Sequence, residues 1–334
     1  MELAKAVLAG QRLALARLLT QVENDTPQGR EALNELFPHT GQAHLVGVTG
    51  APGTGKSSLV SQLARTFRQP QDGSEPVRVA IVAVDPTSPF TGGALLGDRV
   101  RMRDLSGDPG VFIRSMASRG ALGGLAQRTA AVVQVLDAAG FEMILIETVG
   151  AGQSEVDIVR LALTTIVVEA PGAGDDIQAS KAGILEIADI LVVNKADRPG
   201  VDSTVRALQA MLGQSQAAAG KHLLKVTHDD QTVQEPAGWE IPVMRTIATS
   251  GEGIAELAAS IRQHSAHLKD GGGWQQRDQI RLQSELDSLL QTTLLSRWRE
   301  LVSQERYQQT LGLLADRKIS PLQAVENLLN NKQL

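Results

Sequence analysis

An α/β fold built on a mostly parallel, doubly wound sheet, with helical extensions at both ends, is what this sequence predicts. Three observations carry that expectation. Between His44 and about Ser265, short and near-continuously apolar runs alternate with helix-periodic stretches. Such runs mark strands covered on both faces, and their alternation with helices marks parallel crossover units. A glycine-rich turn, "GAPGTGKS", stands between the first of these runs and a helical stretch, and both ends of the chain carry helical periodicity alone.

Taken in order, residues 1–40 form an N-terminal helical extension that closes near Phe37-Pro38, where proline stops a helix. Residues 41–268 form the central α/β domain. Its strand candidates are "HLVGVT" (44–49), "VRVAIVAV" (77–84), "MILIET" (143–148), "TIVVEA" (165–170), "DILVVN" (189–194) and "IPVMRT" (241–246), with helical stretches such as "GLAQRTAAVVQVLDAAG" (124–140) between them. Residues 269–334 begin with a linker, "KDGGGWQQ" (269–276), and continue as a helical dimerisation extension with Leu282, Leu286, Leu289 and Leu290 at helix spacing. That apolar stripe suits either a second copy of the chain or the chain's own central domain.

The 334 residues are 42% hydrophobic and 21% charged, with a formal net charge of −5, six His and no Cys. The absence of Cys excludes a disulfide framework and a thiolate zinc site. Mild acidity without a basic block argues against nucleic acid as a partner. Charges recur through "MELAKAVLAGQRLALARLLT", so it reads as an amphipathic helix rather than a signal peptide. No run of about 18 apolar residues predicts a membrane span, and the expected location is the cytoplasm.

The turn fits G-x-x-x-x-G-K-[ST] at every fixed position: Gly50, Ala51, Pro52, Gly53, Thr54, Gly55, Lys56 and Ser57, followed by Ser58. Glycines let backbone N–H groups converge on phosphate oxygens, and the helix that follows directs its positive end at them. This makes the fold a P-loop NTPase, with Lys56 reaching the β- and γ-phosphates and the Ser57 hydroxyl on Mg²⁺.

The base is read from Asn194-Lys195-Ala196-Asp197 at the end of an apolar strand. A carboxylate there accepts from the N1–H and N2–H₂ donors of guanine, a pair that adenine lacks. "IATSGEGI" (247–254) is the companion base loop, with Ser250 near the guanine O6. Glu147 ends another apolar strand, where a carboxylate organises Mg²⁺, and the Gly150 N–H belongs near the γ-phosphate. The residue after Gly150 is Ala151 rather than a water-positioning Gln, and the nearest amide is Gln153, so intrinsic hydrolysis is expected to be slow. Asp85 either orients the Mg²⁺ water shell or makes an Asp-Pro turn; Asp98 either folds over the nucleotide or caps the helix from Arg99. The loop "PGAGDDIQASKAG" (171–183) is either a sensor of nucleotide state or a plain connection.

Together these motifs resemble the MeaB/ArgK-type GTPases, chaperones of methylmalonyl-CoA mutase in the dimeric, metal-chaperone-like branch of P-loop GTPases. The likeness rests on "GAPGTGKS", "VDPTSPFTGGALLGDRVRM", "ETVGAGQSE", "PGAGDDIQASKAG", "NKAD", "SPLQAVENLL" and the leading helix, and so spans nearly the whole chain. It implies a GTP/GDP- and Mg²⁺-dependent homodimer that binds an adenosylcobalamin-dependent acyl-CoA mutase, gates cofactor delivery, and protects or reactivates the mutase. A cobalamin adenosyltransferase is a further candidate partner. The implied residues are Lys56 and Ser57 for phosphate and metal, Asp85, Asp98 and Glu147 around the metal, Asn194 and Asp197 for guanine, and Asp175 and Lys181 in a loop coupling nucleotide state to the mutase.

Three rivals stand beside it. A nickel-delivery GTPase would need Cys or His ligands near "VFIRSMASRG" (111–120), which has neither; His264 and His267, at i and i+3, read as solvated surface. An ATP-dependent kinase of a transport protein conflicts with Asp197, and a partition-type ATPase needs a second Lys where Ala51 stands. An interaction protein with a vestigial site conflicts with intact Lys56, Ser57 and Glu147.

Overall fold

Strand β1 (His44–Thr49) is buried at every position and lies at the middle of the sheet. The computed structural model describes residues 2–71, 73–85, 102–105, 107–117, 124–148, 161–172, 187–219, 224–226, 232–234 and 238–329. Around β1 are β2 (Val79–Asp85), β3 (Val111–Ala117), β4 (Met143–Glu147), β5 (Thr164–Glu169), β6 (Ile190–Asn194) and, after a separate antiparallel pair β7 (Leu224–Val226) and β8 (Thr232–Gln234), β9 (Val243–Thr246). The main sheet has the order β3-β2-β4-β1-β5-β6-β9 and every pairing in it is parallel, as predicted.

Alternate strand residues feed opposite faces, which is why the runs read as continuously apolar. Val46, Val48, Ile81, Leu145 and Val168 pack under α4 (Lys56–Arg68, the fourth helix in the chain) and the later helix Ile254–Asp270. On the other face, Leu45, Val82 and Ile144 meet three N-terminal helices, α1 (Glu2–Leu8), α2 (Arg12–Glu23) and α3 (Pro27–Leu36), together with α5 (Gly124–Ala138). Val167, Leu191 and Val193 meet α6 (Val201–Ala219). Thr26 caps α3 by accepting the Gly29 N–H at 3.1 Å, ahead of Pro27 in the first turn.

Three expectations need correction. The apolar patterning missed β3, an edge strand in which Arg114 and Ser115 interrupt the run. Arg114 pairs with Glu23 of α2, and Arg12 donates to the Val111 carbonyl at 2.9 Å, so polar groups cover this edge. Residues 269–276 are not an extended linker. Helix α7 (Ile254–Asp270) and α8 (Gly273–Leu301) are separated only by Gly271-Gly272, and Trp274 is buried with the Lys269 ammonium 4.6 Å from its ring centre. His264 is not solvated: it follows Leu257 and Ile261 on the inward face of α7 and is 1% exposed.

The chain separates into two compact units, Met1–Leu282 and Gln283–Leu334. The second contains the rest of α8, then α9 (Gln304–Ala315) and α10 (Pro321–Leu329), with Trp298 edge-on to Tyr307 at 6.5 Å and Arg306 bonded to the Asn327 carbonyl. Among the described residues no helix is long and apolar enough to cross a membrane.

His44 carries a pH prediction. Burial first, then His264 and Lys269 with a smaller part from Arg277, lower its pKa from 6.5 to about 3, against the opposing pull of Asp189. The unfolded chain therefore takes up the proton first, and stability is lost as pH falls from about 6.5 towards 3 at up to roughly 1.4 kcal/mol per pH unit. Urea unfolding should show a loss of about 2 kcal/mol between pH 7 and 5 from this group alone, and His44→Gln should flatten the slope by that amount.

Candidate functional site

At the C-terminal edge of the sheet, four strand ends converge. β1 ends at Thr49 and the loop 50–55 turns through Gly50, Gly53 and Gly55 at φ of +137°, +79° and +96° before α4 begins at Lys56. The positive angle at Gly50 is enforced by crowding as well: a Cβ there would lie 2.1 Å from the Val168 carbonyl oxygen of β5. Gly50→Ala should therefore displace the loop and cut nucleotide affinity by about tenfold or more, measured by calorimetry, with α4 and the sheet intact by circular dichroism. Lys56 is 6% exposed, and its ammonium donates to the carbonyls of Gly50 (2.8 Å) and Ala51 (3.0 Å), so the charge is folded over its own loop. Thr54 closes the turn by donating its hydroxyl to the Ala51 carbonyl at 3.0 Å.

Ser57, in the first turn of α4, donates its hydroxyl to Glu147 Oε1 at 2.5 Å. Glu147 ends β4, is 5% exposed, and stands directly opposite Val48 of β1. Parallel register thus places a hydroxyl and a carboxylate together beside the phosphate loop. Beneath them Thr148 and Thr49, each 1% exposed, join hydroxyls at 3.3 Å.

Asn194 ends β6 and is 2% exposed. Its Nδ2 donates to the Thr54 carbonyl at 2.8 Å, while its Oδ1 accepts from the Thr246 hydroxyl and the Ala248 N–H, both at 3.1 Å. One side chain therefore ties the phosphate loop to the 247–254 loop. Lys195, at φ +57°, donates to the Gly53 carbonyl at 2.6 Å. Asp197 is exposed in the turn that follows, and Ser250 is exposed with its hydroxyl on the Ile247 carbonyl at 3.3 Å. Pro52 and Gly53 are exposed at the loop crest, and Ser58 is half-buried in α4.

The structure thus brings together the loop, Lys56, Ser57, Glu147, Asn194 and Lys195. Asp85 ends β2, beside β4, at the same sheet edge; its side chain, and all of Asp98, Gly150, Ala151, Gln153, Asp175 and Lys181, lie outside the described residues. Thr246, Thr49 and Thr148 were not picked out from sequence, although each ends or follows an apolar run next to a motif. Among the described residues no group of three His, Cys, Asp or Glu could hold a metal ion.

A glycine-rich turn with a buried Lys, a Ser–carboxylate pair and an N-K-x-D turn hydrogen-bonded to it is an arrangement able to take a guanine nucleotide. Residues 15–303 match the family described as methylmalonyl Co-A mutase-associated GTPase MeaB. The chain belongs to the MeaB family. It is a GTPase and binds guanine nucleotide. A relative from Pyrococcus abyssi is 41% identical over 98% of this chain and 95% of its own. GTPase ArgK of Escherichia coli is 33% identical, over 96% of this chain and 92% of its own. The methylmalonic aciduria type A homolog of Caenorhabditis elegans, named as mitochondrial, is 30% identical over 83% and 69%. Among solved structures, a LAO/AO transport system kinase superposes with a TM-score of 0.67 at 25% identity, covering 98% of this chain and 95% of that one. This MeaB-family chain thus has the architecture its sequence predicts, a P-loop fold on a parallel sheet.

Proposed function

We propose that this MeaB-family GTPase is the chaperone of an adenosylcobalamin-dependent acyl-CoA mutase of the methylmalonyl-CoA mutase type, gating cofactor delivery and protecting or reactivating the mutase as GTP is hydrolysed. The observation that carries the reading is the family match over residues 15–303, which holds the whole phosphate loop and the N-K-x-D turn. The name of the Caenorhabditis elegans relative points the same way.

In this reading the backbone of residues 50–57 and the Lys56 ammonium take the phosphates, and Asn194, Lys195 and Asp197 take guanine with Ser250 beside the O6. The pairing of the Ser57 hydroxyl with the Glu147 carboxylate fits Mg²⁺, a hard cation that takes oxygen ligands. These two residues would hold it together with Asp85, and the ion when bound neutralises charge on the β- and γ-phosphates. Asp98 and the Gly150 N–H act beside the γ-phosphate, and Asp175 and Lys181 belong to the loop that reports nucleotide state. With Ala151 in place of a water-positioning Gln, turnover by the free protein is slow.

A homodimer is part of this reading, supported by the second unit, where Leu286, Leu290 and Leu294 are 57%, 49% and 63% exposed at helical spacing on α8. Mass measured across protein concentration tests it: a monomer throughout, with and without GTP analogue, removes the dimer. The partner is tested by using GTP-analogue-loaded protein as bait in native cytoplasmic lysate. Recovery of an acyl-CoA mutase that carries cobalamin is expected, with a cobalamin adenosyltransferase as a further retained protein. Recovery of no cobalamin enzyme removes the partner and leaves the GTPase assignment standing.

A further inference from the structure

At the edge of the sheet opposite the nucleotide site, a chain of buried polar groups crosses three strands. His44 starts β1, Thr164 starts β5 and Asp189 immediately precedes β6; they are 6%, 0% and 1% exposed. His44 Nε2 lies 2.6 Å from Thr164 Oγ1, which lies 2.8 Å from His264 Nδ1 on α7. His264 Nε2 then stands 3.5 Å from Asp189 Oδ1. Arg277, in the first turns of α8, holds both carboxylate oxygens of Asp189, at 2.9 and 3.0 Å, and donates to the Leu163 carbonyl at 2.5 Å. The Thr165 N–H and the Trp239 indole add bonds to the Asp189 carboxylate and carbonyl, at 2.7 and 2.9 Å.

Counting protons gives this chain a direction. Asp189, an ion pair with Arg277, only accepts, so its charge favours a proton on His264 Nε2, which faces it across 3.5 Å as an ionic contact rather than a hydrogen bond. His264 Nδ1 is then an acceptor and takes the single Thr164 hydroxyl proton, which leaves His44 Nε2 as donor to Thr164. The order Asp–His–Thr resembles a nucleophilic triad, yet Thr164 is wholly buried and no substrate reaches it.

The three strands joined here each reach the candidate nucleotide site at their other ends. β1 leads into Gly50, the Val168 carbonyl of β5 packs against Gly50, and β6 ends at Asn194; six residues of β1 span about 20 Å. Helix α7 begins directly after the 247–253 base loop and reaches the same network through His264. Burying an ion pair and two imidazoles adds little stability over apolar packing, so the arrangement is better accounted for by a requirement for one fixed geometry. A directed hydrogen-bond chain has discrete states: it is closed, or the hydroxyl turns and an acceptor loses its donor.

We propose that the His44–Thr164–His264–Asp189–Arg277 network is a relay that transmits guanine-nucleotide occupancy from the C-terminal ends of β1, β5 and β6 to the root of α8. The relay rests on guanine-nucleotide binding at the loop 50–57, so its test separates binding from transmission. Trp239 lies 4.7 Å from His264, and Trp274 lies 5.6 Å from His44, ring centre to ring centre, so both indoles report on it. With Trp298→Phe removing the third indole, GDP and a GTP analogue are titrated while heat and tryptophan emission are recorded together. Emission should change and saturate with the heat of binding, and Thr164→Val should shrink that change about threefold or more while heat of binding persists. Amide exchange in residues 273–282 of the unaltered protein, with and without nucleotide, is the second readout and does not depend on any variant folding. Saturated binding with unchanged exchange in 273–282 overturns the relay alone; absence of binding heat overturns the nucleotide reading and the relay with it.

Discussion

Lys56→Ala should lower kcat/KM for GTP by about 10²–10³-fold, the loss that follows when one preorganised charge is withdrawn from a developing oxyanion. The ammonium is the one side-chain cation among the described residues that touches the carbonyls of both Gly50 and Ala51, and it sits at the head of α4 where phosphate oxygens are to lie. Its removal also leaves those two carbonyls without this donor, at a cost of roughly 1–3 kcal/mol each if they stay buried. The effect should track phosphate number: affinity for GTP falls most, for GDP less, and for guanosine hardly at all, because the base contacts are untouched. Lys56→Arg should rescue little, since a planar fork replaces a compact point charge in a loop shaped around the latter. Single-turnover hydrolysis with calorimetry of the three ligands measures this. A Lys56→Ala protein within threefold of the parent, against the roughly hundredfold minimum, would remove Lys56 from the phosphate site.

How much of this was legible in the residues differs from one element to the next. The phosphate loop could be read because its backbone admits few residue types: only glycine tolerates the φ of +137° at Gly50 with the Val168 carbonyl so close. Buried strands were legible because each side of the sheet demands apolar side chains. Strand β3 was not, because an edge strand answers to its cover, and the cover here is Glu23 and Arg12, almost a hundred residues earlier in the chain. Asn194 was read as a guanine contact; its amide turns out to span the phosphate loop and the base loop, and which carbonyl an amide reaches is not written in a four-residue motif. His264 looked like a surface residue because it pairs with His267 at i, i+3 among polar neighbours; its burial depends on Thr164 at the start of β5 and Asp189 just before β6, both distant in sequence. Three-glycine "GGG" suggested a linker, yet a single turn at Gly271-Gly272 is enough to start a new helix with Trp274 packed beneath it.

Asp197→Asn should turn the nucleotide preference from guanine towards xanthine. The argument starts from donors and acceptors. A carboxylate only accepts, and guanine offers it two donors, N1–H and N2–H₂. Xanthine keeps the N1–H but has a carbonyl oxygen where the amino group was, so it repels a carboxylate and suits an amide, which both accepts and donates. Two charge-assisted hydrogen bonds at about 1.5–3 kcal/mol each set the scale, so GTP affinity should fall roughly 10²–10⁴-fold. XTP affinity should rise by a comparable factor, and XTP hydrolysis should be restored. The fold should be unaffected, since Asp197 is exposed and the neighbouring Asn194 keeps its bonds to Thr54, Thr246 and Ala248. That separation is what makes the substitution informative: Asn194→Ala would loosen the phosphate loop and the base loop together, whereas Asp197→Asn addresses the base alone. The two predictions are also independent of each other. Lys56→Ala weakens GTP and XTP binding alike in the Asp197→Asn background, and the factors should multiply, because the two groups share no partner. Competition binding of GTP, XTP and ATP against a fluorescent nucleotide, in the parent, both single variants and the double variant, measures the affinities, and phosphate release measures XTP hydrolysis. An Asp197→Asn protein that still prefers GTP over XTP would move guanine recognition off Asp197.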